Sequence, residues 1–180
     1  EEIFISIACY RDPDVINTIK DAVYKAANSK RVVFGVVYQG SKEEYNHFNE
    51  SLAGENIKSR YYSIEETKGT GWARNILTRD MLEDEMYWLQ IDSHTRFKKG
   101  WDNELINLYN KIGHYCMLSA FPPHFGFDEP YEYFTEERKL NNKSYVVSLT
   151  EMNSFRETKG KIPEGLYEES ITASGAFQFA

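Results

Sequence analysis

The sequence predicts an α/β layer fold with a largely parallel central sheet. Three observations predict it. Between residues 3 and 112, β-branched apolar runs alternate four times with segments of helical periodicity, joined by short connections. Helix-start signals follow two of those runs: Asp12 with Pro13, and Ser41 with Glu44. At 180 residues and 41% apolar content the chain can bury one full core, which excludes a disordered tail, a collagen or a coiled coil.

The elements follow in order. IFISIAC over 3–9 is a buried first strand. Asp12 as N-cap and Pro13 at the first helical position open a helix over 13–28, with Ile16, Ile19, Val23 and Ala26 on one face. RVVFGVVY over 31–38 is a second buried strand. The Ser41–Glu44 capping box starts a helix with Tyr45, Phe48 and Leu52 in one stripe up to Gly54. The third strand, over 57–64, is more polar, as suits a strand near a sheet edge. Gly69-Thr70-Gly71 leads into a helix with Trp72, Ile76, Leu77 and Met81. MYWLQI over 86–91 is a fourth buried strand and ends at Asp92-Ser93-His94. Trp101, Leu105, Leu108 and Ile112 mark a further helix. Later strands are expected over 115–120, 144–149 and from Ala173 to Ala180, with an aromatic loop over 121–134.

Composition narrows the function. Lys plus Arg is 21 against 28 Asp plus Glu, a net charge of −7, and no basic stripe suited to nucleic acid is present. Any anionic ligand must then be met by local positive charge, a helix N-terminus or a metal ion. No apolar run reaches the ~18 residues of a membrane span. Cys9 and Cys116 lie inside apolar runs and read as buried thiols of a reducing compartment, hence a cytoplasmic location. The chain starts at Glu1 without a methionine and stops in the apolar stretch Ala176–Ala180, so both ends are expected to be cut.

In open parallel sheets, ligands bind beyond the carboxyl ends of the strands. Cys9-Tyr10-Arg11-Asp12, Gln39-Gly40, the Gly69–Asn75 turn and Asp92-Ser93-His94 fall on that rim. Strand alternation puts Asp92 and His94 on one side and Ser93 opposite. A carboxylate and an imidazole so placed either share a divalent cation or form a hydrogen-bonded pair that closes a turn. Arg74 either attracts phosphate at the helix start or is a solvated helix residue. Tyr10, Gln39 and Gln90 offer hydrogen bonds to a base or sugar, and equally to the protein interior. The aromatic loop either stacks on a ligand or caps the sheet. His47, His114 and His124 show no ligand spacing. Gly69-x-Gly71 is a partial dinucleotide fingerprint, with Arg74 where its third glycine belongs; it keeps a nucleotide-dependent oxidoreductase as a minor alternative.

Taken together, several segments resemble the GlcNAc-transferase family. They are IFISIACYRDP (3–13), FGVVYQ (34–39), the turn with Gly69, Ala73, Arg74 and Asn75, and LQIDSHTRFKKGWD (89–102). A looser match is Ser174-Gly175-Ala176-Phe177. The family is typified by cytoplasmic enzymes that add GlcNAc to hydroxyproline of a ubiquitin-ligase adaptor. The resemblance implies a GT-A fold, a Rossmann-like sheet with helices on both faces and incomplete at the C-terminus. It implies one domain over 1–180, with a nucleotide-sugar half over 1–120 and the start of an acceptor-side half over 121–180. It implies metal-dependent transfer of a sugar, GlcNAc, from a UDP-sugar to a protein or glycan acceptor, with retention of configuration. Mn²⁺ or Mg²⁺ would be held by Asp92 and His94, in the place of the superfamily's Asp-x-Asp motif. The donor would be met by Ala8, Tyr10, Arg11, Asp12, Gln39, Gly71, Arg74, Asp92 and Ser93. The acceptor-side acid and a further metal ligand are expected beyond Ala180, so the chain alone is expected to bind UDP poorly. The alternative is a non-catalytic GT-A-like module that binds glycan or peptide.

Overall fold

The computed structural model describes residues 1–112, 117–119 and 176–180. Its strands are β1 (Ile3–Tyr10), β2 (Val32–Gln39), β3 (Ile57–Tyr62), β4 (Tyr87–Ile91), β5 (Leu118–Ser119) and β6 (Phe177–Phe179). Its α-helices are α1 (Val15–Lys25), α2 (Lys42–Ser51), α3 (Thr70–Ile76) and α4 (Trp101–Ile112). They form one sheet in the order β3-β2-β1-β4-β6-β5. The first four strands run parallel, whereas β6 is antiparallel to both β4 and β5. The more polar β3 does sit at an edge.

Strand alternation sorts the core into two layers. Ile3, Ile5, Ile7 and Cys9 of β1 face Val15, Ile19 and Ala22 of α1, Phe48 of α2 and Leu105, Ile106 and Tyr109 of α4. Phe4 on the opposite face joins Val33 and Val37 of β2 and Ala73, Ile76, Leu77 and Met81 from the segment after β3. All eight residues of β2 are buried, as a strand covered on both faces requires. The core buries the Cys9 thiol, and that desolvation pushes its pKa up to about 12.

Local chemistry explains most boundaries. The Ser41–Glu44 capping box forms as expected: Glu44 N–H donates to Ser41 Oγ at 3.2 Å, and Ser41 N–H donates to Glu44 Oε2 at 2.7 Å. Gly69, at φ 89°, supplies the left-handed turn into α3. After Ile76 the helix widens into a π-turn over Leu77–Met81, closed by Leu82 N–H to Leu77 O at 3.0 Å.

Helix α1 differs from expectation at both ends. It spans Val15–Lys25 rather than 13–28, and Asp14, not Asp12, holds the N-cap position. Pro13 starts a tighter turn, with Ile16 N–H to Pro13 O at 3.4 Å. Asp12 still accepts the Asp14 N–H at 3.0 Å, but its other oxygen is committed elsewhere. At the far end the buried Asp102 carboxylate takes the N–H groups of Ala27 and Asn28, at 2.7 and 3.0 Å, and draws the chain out of the helix. The expected strand over 115–120 is the short β5, and Ala173–Ala180 yields β6. The strand expected over 144–149, the aromatic loop over 121–134, His114, His124 and Cys116 lie outside the described residues.

Candidate active site

Helices α1 and α2 connect β1, β2 and β3 on one face of the sheet, and α3 connects β3 to β4 on the other. The winding reverses between β1 and β4. In open α/β sheets such a reversal is where a crevice holds ligands, at the carboxyl ends of the two strands. The two segments that meet there are Tyr10-Arg11-Asp12 and Asp92-Ser93-His94.

Strand β1 ends in a forced turn. Arg11 has φ 49°, in the left-handed region, and is the one non-glycine residue there among the described residues. Its N–H donates to Gln39 O at 2.9 Å. This turn aims Asp12 across the crevice. Oδ1 of Asp12 accepts the Asp14 N–H, and Oδ2 lies 2.5 Å from Ser93 Oγ and 2.8 Å from His94 Nδ1. Burial by itself would raise the Asp12 carboxyl. The hydrogen bonds from Ser93, His94 and the Asp14 N–H outweigh it and hold the group below the usual carboxylate range.

The residues at the end of β4 take opposite directions. Asp92 continues the alternation of Trp88 and Gln90 toward α3, where its Oδ1 lies 3.2 Å from Arg74 Nη2. Ser93 turns inward; its hydroxyl serves Asp12 and its carbonyl accepts from Thr18 Oγ1 at 2.7 Å. His94 is exposed, with its ring held by Asp12. A carboxylate only accepts, so the Nδ1 atom facing it carries a proton. A metal-bound histidine commonly shows this arrangement, its second ring N–H anchored on a carboxylate. Asp92 and His94 offer the oxygen and nitrogen donors a divalent cation takes, but Asp92 faces Arg74 while His94 shares Asp12 with Ser93, so the alternation expected to set Ser93 opposite His94 does not continue past β4. Among the described residues no third His, Cys, Asp or Glu completes a metal site with them.

The remaining expected donor residues are spread along the same rim. Gln39 is buried, with Nε2 3.5 Å from Cys9 O. Ala8 is half-buried near the end of β1, and Tyr10 and Arg11 are exposed. Gly71 is exposed in the first turn of α3, with open space where a Cβ would project.

Sequence reasoning missed the clasp that carries the Asp92–His94 loop. Thr18 of α1 donates to Ser93 O and accepts the Thr95 N–H at 3.0 Å. Asp14 pairs with Arg96 at 2.7 and 2.9 Å, and Asp21 accepts the Phe97 N–H at 2.7 Å. The available signal was helical spacing: Asp14, Thr18 and Asp21 are polar residues beside the apolar face of α1.

Comparison with known proteins agrees with this architecture. The model of the glycosyltransferase (GlcNAc) family matches residues 2–52 and 41–153. Residues 1–349 of S. aureus TarS share the fold with a TM-score of 0.55 and 16% identity, over 66% of this chain and 35% of that one. The complex of the same protein with UDP-GlcNAc gives 0.54 and 15%, over 66% and 34%. The chain thus spans about a third of these TarS chains. None of the curated proteins compared matches it. The sheet with its crossover at β1 and β4 has the GT-A fold, and with most of its length inside the family model the chain belongs to the GlcNAc glycosyltransferase family.

Proposed function

We propose that the protein carrying this chain is a divalent-metal-dependent glycosyltransferase. It moves GlcNAc from a UDP-sugar to a protein or glycan acceptor, with retention of configuration. The observation that carries this reading is the pair Asp92 and His94 at the crevice, with His94 Nδ1 anchored on Asp12 and Arg74 beside Asp92. The family match and the UDP-GlcNAc complex of TarS support a nucleotide-sugar donor.

The charge balance supports it too. A chain of net charge −7 meets a diphosphate only where that charge is locally reversed. Mn²⁺ or Mg²⁺ held by Asp92 and His94 would stabilise the negative charge that develops on the departing nucleoside diphosphate. Arg74 adds a fixed positive charge on the α3 side of the crevice. Tyr10 and Arg11 stand exposed on the rim, and in this reading they meet the nucleoside. The unpaired, buried Cys9 suits a reducing compartment, and we place the protein in the cytoplasm. Among the described residues no helix is long and apolar enough to cross a membrane.

The test is metal-dependent hydrolysis or transfer from UDP-GlcNAc by the intact protein and by Asp92→Ala. The expected loss is at least about a hundredfold, as for removal of one electrostatic stabiliser of a transition state. Unchanged turnover in Asp92→Ala would overturn the site assignment. Donor binding without any turnover in the unaltered protein would favour the binding-module reading.

A further inference from the structure

We propose that Asp12 is a positioning residue that locks His94 in the Nδ1–H tautomer, presenting Nε2 to a cation. The proposal rests on the metal reading of Asp92 and His94 given above.

Both carboxylate oxygens of Asp12 have partners within the chain. One oxygen takes the Asp14 N–H at 3.0 Å. The other lies 2.5 Å from Ser93 Oγ and 2.8 Å from His94 Nδ1. Asp12 therefore has a structural duty on each oxygen, whereas Tyr10 beside it is exposed and Arg11 pairs with Glu44 at 3.9 Å. Its carboxylate is held from two sides. The left-handed turn at Arg11 fixes its backbone, and the Asp14–Arg96 pair ties the start of α1 to the loop that bears His94. The Thr18–Ser93 hydrogen bond fixes that loop at a second point.

The consequence for His94 is chemical. A neutral imidazole in water favours the proton on Nε2, which blocks that nitrogen as a ligand. A carboxylate on Nδ1 reverses the preference, because it accepts a hydrogen bond and donates none. It also stops ring rotation at an otherwise exposed side chain. Asp12 thus prepares the ligand nitrogen before any cation arrives, by acting on the His94 ring.

The experiment uses the intact protein with ¹⁵N-labelled histidine, metal-free and in alkaline buffer. Long-range ¹H–¹⁵N correlation reads the His94 tautomer, assigned with His94→Gln. Calorimetric titration with MnCl₂ reads affinity on the same samples. The unaltered protein is expected to show Nδ1–H. Asp12→Ala is expected to shift His94 toward Nε2–H and to weaken Mn²⁺ binding about 10- to 100-fold. Ser93→Ala, which leaves the Asp12–His94 contact in place, is expected to keep Nδ1–H. An Nε2–H signal in the unaltered protein overturns the proposal even if Asp12→Ala fails to fold. So does an unchanged tautomer or Mn²⁺ affinity in Asp12→Ala. Absence of Mn²⁺ binding in the unaltered protein removes the metal reading itself, and the proposal with it, whatever the tautomer.

Discussion

An added Cβ at Gly35 would lie 2.1 Å from Cζ of Phe4, whose ring is fully buried across the pair formed by β1 and β2. The ring cannot swing away, because Val33, Val37, Ile76 and Leu77 pack around it. Gly35→Ala is expected to destabilise the fold by about 1–3 kcal/mol, the range for overpacking. Urea denaturation checks this, and an unchanged midpoint would contradict it. The sequence shows a glycine inside an apolar run, yet not which ring lies over it. Asp12 illustrates the same limit. Its place beside a helix start was legible, because capping chemistry is local. Its partners Ser93 and His94 stand far along the chain, and no spacing rule connects them.

Elements are joined at this scale by a few charged side chains. Lys58 of β3 lies 2.8 Å from Glu85 and 2.9 Å from Glu83, tying the edge strand to the turn before β4. Burial by itself would raise the Glu85 carboxyl. The Lys58 ammonium and the N–H groups of Glu83 and Glu85 outweigh it and hold the group below the usual carboxylate range. A carboxyl lowered on folding stabilises the protein above its unfolded pKa of about 4.3 and loses that contribution as pH falls through the folded pKa. Glu85→Gln is therefore expected to cost about 1 kcal/mol at neutral pH, with the difference closing under acid. Thermal melts of both proteins over an acid-to-neutral series check it, and a gap that widens toward low pH would refute it. Helix and strand identities were legible here because hydrophobic period is a local property. The shortening of α1 was not, because Asp102, which ends it, comes from α4.

Over the whole molecule, alternation of strands and helices predicted the layered sheet, and right-handed crossovers leave few ways to wind it. The antiparallel entry of β6 between β4 and β5 was not legible, since it depends on how distant segments return to the sheet. Phe179 of β6 is fully buried and stacks on Tyr87 at 5.4 Å. Phe179→Ala is expected to cost about 3–5 kcal/mol. Most of that change should appear as faster unfolding, because β6 pairs with β4 across a large sequence separation and such contacts are expected to form late. Stopped-flow folding and unfolding rates check it; slower folding with unchanged unfolding would place β6 in the nucleus instead.

The strand order has a consequence during synthesis. Strands β1, β2 and β3 are neighbours in the chain and in the sheet, with α1 and α2 on one side. Once β3 has emerged from the ribosome they can assemble as a half-sheet covered on that side alone. Phe4, Val33 and Val37 then lie bare on the other side until the segment bearing Ala73, Ile76 and Met81 follows. A nascent chain at that stage is expected to bare an apolar face, the kind of surface that chaperones bind.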